Sequence, residues 1–277
     1  MPPVEFVGIA GGQIELRRIP GPRPDAPVIV FLHEALGSVS HWRDFPAQLC
    51  ARTASAGVVY SRFGHGQSSP LATGIPRPMD FCLVEARQVL PALLSSLGIV
   101  RPYLVSHSDG ASIALLAAAE IPLAGIAAMA PHLHIEDRTV HGIQQAARHR
   151  DFFVGALAKY HRQPDRVFDA WHQTSLSPPF RYWNLEPEMS KIGCPTLLIQ
   201  GLRDEYGSLA HVARTQAAIN RAHPEVPVRR LDMPSVAHVP WREARDTVIT
   251  AIGEHLQTIL PGKTHPQRRD AERPPTA

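Results

Sequence analysis

The chain has 277 residues, 44% of them hydrophobic, and a net charge of +3, which supports a well-buried globular core. Basic residues do not gather into a run before the far C-terminus, so the charge demands no nucleic-acid partner and allows at most a slight attraction for anionic substrates. Cys50, Cys82 and Cys194 are odd in number, widely spaced and without a CxxC pair, which argues against a disulfide framework and a cysteine zinc site and suits a reducing cytoplasm.

The opening MPPVEFVGIAGG lacks a basic segment followed by an apolar core, and IALLAAAEIPLAGIAAMA is interrupted by Glu120 and Pro122. Neither a signal peptide nor a membrane span is expected. VEFVGIA and QIELRRI flank Gly11-Gly12 and read as an antiparallel hairpin on a sheet edge. VIVFLH (28–33) and GVVY (57–60) follow, each an apolar run short enough for a buried strand. The turn HEALGS after the first contains a His-Glu pair but not the second histidine of HExxH, so zinc is rejected there. Gly64-His65-Gly66, after the second, lacks the third glycine of a dinucleotide-binding turn and reads as a structural turn; no cofactor is expected.

YLVS (103–106) runs directly into the helical pattern ASIALLAAAEI, with Ser106, Ser108 and Ser112 close together. Ser108 lies at the strand-to-helix turn, the geometry of a nucleophile elbow, with the small residues Ser106 and Gly110 at positions −2 and +2. There the amide of Asp109, at the helix N-terminus, points at a developing oxyanion. Ser106 is the rival, but its place on the strand buries its hydroxyl; Ser112 lies inside the helix.

Between AGIAAMA (124–130) and TLLIQG (196–201) lie roughly sixty-five residues, far more than a connection with one crossover helix needs. Helical apolar spacing at Val154, Leu157, Ala158, Val167, Phe168 and Trp171 predicts a small helical cap there. Its aromatics, including Phe152, Trp171 and Trp183, are candidates both for lining a pocket and for packing the cap's own core.

After TLLIQG comes LRDEYG, and after VRRLDM (228–233) comes PSVAHVP. Asp204 and His238 thus stand where the chain leaves the carboxyl ends of two strands. A serine nucleophile needs a base and the base an orienting acid, in the order Ser, Asp or Glu, His. Glu205 competes with Asp204, whose shorter side chain nearer the strand makes a more rigid acceptor; Asp137 is the outside candidate, otherwise a helix-capping residue. The tail KTHPQRRDAERPPTA has no apolar periodicity and is expected to be disordered. Strand and helix patterns together predict an α/β fold, a mostly parallel sheet of about eight strands flanked by helices.

In order, FLHEALGSVSHWRDFP, VVYSRFGHGQSSP, VSHSDGASIAL, LLIQGLRDEYG and AHVP resemble the successive signatures of the α/β-hydrolase family, from about residue 4 to residue 260. The resemblance implies a core of residues 1–130 and 191–262, a cap of 131–190 and a tail of 263–277. It implies a Ser108, Asp204 and His238 triad, with oxyanion amides from Ala35 and Asp109. The activity so implied is hydrolysis of a small or medium ester; lactone, thioester or carbon–carbon cleavage, or a non-catalytic ligand-binding role, are the alternatives. The expected partners are an ester-like small molecule and at most further copies of the chain, with no nucleic acid and no membrane. Ser106 and Glu34 depart from the family's glycines. In the sheet this family builds, the HEALGS and SRFGHG turns emerge side by side, so Glu34 is expected to pair with Arg62.

Overall fold

In the computed structural model, residues 3–71 and 76–260 are described; the tail lies outside them. The short apolar runs become strands β3 (Ile29–Leu32), β4 (Gly57–Tyr60), β5 (Tyr103–His107), β6 (Gly125–Met129) and β7 (Thr196–Gly201), buried at every position. Burial on both faces is why they read as continuous apolar runs rather than alternating ones. Strands β1 (Glu5–Ile9), β2 (Gly12–Ile19) and β8 (Val228–Met233) complete an eight-stranded sheet in the order β1-β2-β4-β3-β5-β6-β7-β8. The pairs from β4 through β8 are parallel, whereas β2 runs antiparallel to both β1 and β4. The hairpin turns at Gly11 and Gly12, with φ of 102° and 139°. The far edge strand β8 exposes Arg229 and Arg230, charges that discourage edge-to-edge pairing.

Side chains alternate across the sheet. Ile29 and Phe31 enter one core with helices α1 (Phe45–Thr53) and α10 (Arg245–Ile259); Val30 and Leu32 enter the other with α3 (Leu90–Ser96) and α4 (Asp109–Ala118). A short helix α2 (Phe81–Val84) and a π-helical stretch (Glu85–Val89) lead into α3. Helix α8 (Leu209–Ala222) joins β7 to β8, and α9 (Pro240–Glu243) precedes α10.

Between β6 and β7 the chain forms α5 (Asp137–Arg148), α6 (Arg150–Leu157) and α7 (Pro164–Ser175), then two 3-10 turns. Helix α5 starts at a capping box in which Glu136 and Thr139 satisfy each other's backbone N–H groups, and it buries Thr139, Gly142, Ile143 and Ala146, one helical stripe. Leu157, Phe168 and Trp171 join Ile143 in a separate cluster that also includes Ala35 from the turn after β3. Ala158, expected on the apolar face, is exposed because it ends α6. No helix among the described residues is long and apolar enough to cross a membrane.

All the parallel strands deliver their carboxyl ends to one side, under this insert. Helix α4 passes so close to β3 that a Cβ on Gly110 would stand 2.3 Å from the Leu32 carbonyl oxygen and 2.6 Å from that of His33. Both atoms are main chain and cannot yield cheaply. Gly110→Ala is therefore expected to destabilise the fold by about 1–3 kcal/mol, read as a lower urea midpoint with an unchanged slope.

Candidate active site

Ser108 ends β5 and begins α4 with φ 53° and ψ −120°, a sparsely populated conformation costing on the order of 1–3 kcal/mol. The turn holds because α4 is seated on β3 at Gly110. Ser106 and Ser112, its neighbours, are spent on structure. Ser106 Oγ donates to the Ala127 carbonyl at 3.1 Å, while Ser112 Oγ donates to the His132 carbonyl at 2.7 Å and accepts its N–H at 3.0 Å.

Ser108 Oγ lies 2.9 Å from His238 Nε2, and His238 Nδ1 lies 2.9 Å from Asp204 Oδ2. Asp204 is fully held. Its Oδ1 accepts the N–H groups of Tyr206 at 2.7 Å and Gly207 at 3.1 Å, and Oδ2 also accepts Gln200 Nε2–H at 2.8 Å. Glu205 is exposed, and Asp137 is the exposed first residue of α5, paired with Arg181; the cap proper is Glu136. Burial opposes charge on His238, but the Asp204 carboxylate beside it outweighs burial and raises its pKa above the usual 6.5. Burial likewise opposes charge on Asp204, and the His238 partner overrides it, holding the carboxyl well below its ordinary range.

His107, the residue before Ser108, is buried and held at both ring nitrogens. Trp241 Nε1–H approaches Nδ1 at 3.4 Å, leaving Nε2–H to donate to the His238 carbonyl at 2.7 Å. Burial pushes His107 down to about 3, so it keeps that single tautomer.

The expected carboxylate–guanidinium pair of Glu34 and Arg62 is absent. Arg62 Nη2 instead donates to the Glu34 carbonyl at 2.9 Å, and the Glu34 carboxylate lies 3.9 Å from His41 Nδ1. Burial decides this: Arg62 is 1% exposed, and a buried main-chain carbonyl must find a donor. The Arg62 guanidinium lies 3.9 Å, and that of Arg77 3.6 Å, from Asp109 Oδ2. Neither Arg–Asp109 approach was foreseen. The N–H groups of Ala35 and Asp109 have no hydrogen-bond acceptor among the described residues. Each belongs to a turn bordering Ser108.

A cavity of about 470 Å³ opens over Ser108 and His238. Phe152, Trp171 and Trp183 all line it, but Phe152 is 74% exposed at the rim whereas the two tryptophans are buried. Trp183 stacks on Phe180 at 5.3 Å and Trp171 meets Phe168 edge-on at 5.6 Å, so lining and insert packing are served by the same side chains.

His134, Glu136 and His211 bring possible ligand atoms within 4.8 Å of one another. The Leu133 N–H donates to His211 Nδ1 at 3.2 Å, so Nε2, which faces Glu136, carries the hydrogen and has no lone pair for a cation.

Comparison with known proteins gives three findings. The sequence profile of the alpha/beta hydrolase family matches residues 29–251. Over 166 residues the chain is 28% identical to 2-succinyl-6-hydroxy-2,4-cyclohexadiene-1-carboxylate synthase of Salmonella agona (strain SL483), a match spanning 58% of this chain and 58% of that protein. Among solved structures, the enol-lactonase from Burkholderia xenovorans LB400 superposes with a TM-score of 0.69 at 19% identity, covering 91% of this chain and 100% of its own. The haloalkane dehalogenase DbeA from Bradyrhizobium elkani USDA94 gives 0.70 at 18%, with 93% and 98% covered. At such identities the structural likeness speaks for the fold alone.

A proton-resolved NMR titration of the imidazoles should show His238 titrating above 6.5. Because the raised value comes from Asp204, the same titration on Asp204→Asn should show it moved downward, burial then acting unopposed.

Proposed function

We propose that this chain, which belongs to the alpha/beta hydrolase family, is a serine hydrolase that cleaves a small or medium carboxylic ester through an acyl-enzyme at Ser108. The reading rests on the relay Asp204–His238–Ser108, with both links at 2.9 Å, opening into a largely apolar cavity. Ser108 Oγ attacks the ester carbonyl carbon while His238 Nε2 takes the hydroxyl proton. Asp204 accepts Nδ1–H throughout, which fixes the tautomer and stabilises the imidazolium. Negative charge gathers on the former carbonyl oxygen, and the Ala35 and Asp109 amides receive it. The tetrahedral adduct expels the alcohol, which takes the proton from His238. Water then repeats the sequence on the acyl-enzyme, releasing the acid and free Ser108. The tryptophan-lined part of the cavity suits an apolar or aromatic acyl group.

The matched synthases favour a second reading, in which the same Ser-His pair acts on a carboxylate-bearing substrate by chemistry at carbon. Arg43, Lys159 and Arg242 stand along the cavity without an ion-pair partner among the described residues, which suits an anionic substrate. A panel of esters, lactones, thioesters and β-diketone-type substrates, with and without a carboxylate, separates the two.

A fluorophosphonate probe is expected to label Ser108 covalently. A folded protein left unlabelled would instead favour the ligand-binding alternative. Ser108→Ala should lower kcat by a factor on the order of 10⁶, whereas Ser106→Ala, which loses one bond to Ala127, should keep a substantial part of turnover. Equal collapse of both folded variants would overturn the assignment of the nucleophile.

A further inference from the structure

The turn carrying the Ala35 amide is gripped from two sides. In a trans peptide the carbonyl and the N–H point in opposite directions, so whatever holds the carbonyls of this turn aims its amides. The Glu34 carbonyl accepts from Arg62 Nη2 at 2.9 Å, from His33 Nδ1 at 2.7 Å and from the Gly37 N–H at 3.1 Å. Those groups belong to the sheet and its loops. The Leu36 carbonyl accepts from His161 Nε2 at 2.9 Å, and His161 belongs to the insert; that carbonyl shares its peptide unit with the Gly37 N–H, which donates to the Glu34 carbonyl, the carbonyl of the peptide unit that carries the Ala35 N–H.

Nothing about His161 is free to adjust. The Gly66 N–H donates to its Nδ1 at 2.9 Å, which fixes the hydrogen on Nε2, and the next residue's N–H, that of Arg162, donates to the Gly66 carbonyl at 2.9 Å. The insert thus clips both polar groups of Gly66, a position with φ 55° where a Cβ would meet Glu15 and Ser61. His161 is buried, and burial holds it down to about 4, so it is neutral and keeps this tautomer near neutral pH. Its ring lies 6.0 Å from that of His65, which lies 4.9 Å from that of His33. His65 Nε2 in turn faces the Ala35 carbonyl at 2.9 Å. Three imidazoles therefore line up from sheet to insert along the carbonyls of residues 34 to 36. The Ala35 side chain itself packs in the insert's apolar cluster.

We propose that His161 is a positioning residue for the oxyanion hole, so that the seating of the helical insert on Gly66 and Leu36 sets the direction of the Ala35 amide. This rests on the serine-hydrolase reading above. The insert then contributes to transition-state stabilisation as well as to the roof of the cavity.

His161→Ala tests this with three readouts: steady-state hydrolysis of 4-nitrophenyl butyrate, affinity for phenylboronic acid as a tetrahedral adduct of Ser108, and amide hydrogen exchange across residues 33–37. The expected result is a kcat loss of roughly 10–100-fold with KM within about threefold, a matching loss of boronate affinity, and faster exchange in the turn. His161→Gln, whose amide offers an N–H donor as well as a carbonyl acceptor, should recover part of the loss. Unchanged kcat and boronate affinity in folded His161→Ala, or a change confined to KM, would overturn the proposal. If that variant does not fold, His161→Phe fills the space without either bond, and wild-type values there overturn it equally. A wild-type protein that hydrolyses no ester defeats the hydrolase reading alone; the exchange measurement then still decides whether His161 holds the turn.

Discussion

The close crossing of α4 over β3 governs the geometry of this molecule. With a hypothetical Gly110 Cβ only 2.3 Å from the Leu32 carbonyl oxygen, helix and strand are nearly in main-chain contact, and the chain has one residue in which to reverse. That residue is Ser108, held at φ 53°. The strain is sustained by the packing of α4, whose residues 110 to 118 are all buried. In return the hydroxyl stands clear of the sheet, within 2.9 Å of His238, and the Asp109 amide starts a helix beside it. Fold stability and the placement of Ser108 are therefore the same interaction seen from two sides.

Around this point the chain uses imidazoles in two electrostatic states. His33, His107 and His161 follow one pattern, each accepting an N–H on one nitrogen and donating from the other to a carbonyl of a site loop. Burial lowers the pKa of all three, so each stays neutral, keeps one tautomer and acts as a rigid strut. His238 is only slightly exposed, yet its pKa moves the other way because the Asp204 carboxylate lies 2.9 Å from Nδ1. One residue type thus serves both as neutral strut and as the proposed base, and the Asp204 carboxylate is the leading reason for the difference.

The buried arginines extend the same logic. Arg62 and Arg77 approach Asp109 from below, with the Arg77 guanidinium 4.0 Å from the centre of the Phe81 ring. Glu85 is buried nearby, and burial raises its pKa against the pull of both guanidinium groups. The two guanidinium groups therefore stand beside Asp109, and that of Arg62 also beside the turn after β3. The Glu34 carboxylate stays out of this cluster. It lies 3.9 Å from His41, a residue stacked on Tyr160 of the insert at 4.6 Å, so even this loop charge is tied to the insert.

The sequence by itself determined the strands and put Ser108, Asp204 and His238 at strand ends. Short apolar runs bounded by turns can only be buried parallel strands when helical segments alternate with them, and parallel strands bring their carboxyl ends to one side. Ser108, Asp204 and His238 each stand just past a strand, so local pattern brought them to one end of the sheet, and the resemblance to the α/β-hydrolase family chose them as a set. Tertiary structure alone decided which groups hold the loops. Arg62 met the Glu34 carbonyl rather than its carboxylate, and His161, some 125 positions from Leu36, reached the turn from the insert. Those choices depend on which buried carbonyl lacks a donor after packing is complete, and a buried carbonyl leaves no mark in the identity of the residue that carries it. Every residue has one, so only the packed chain reveals which must be satisfied and by what.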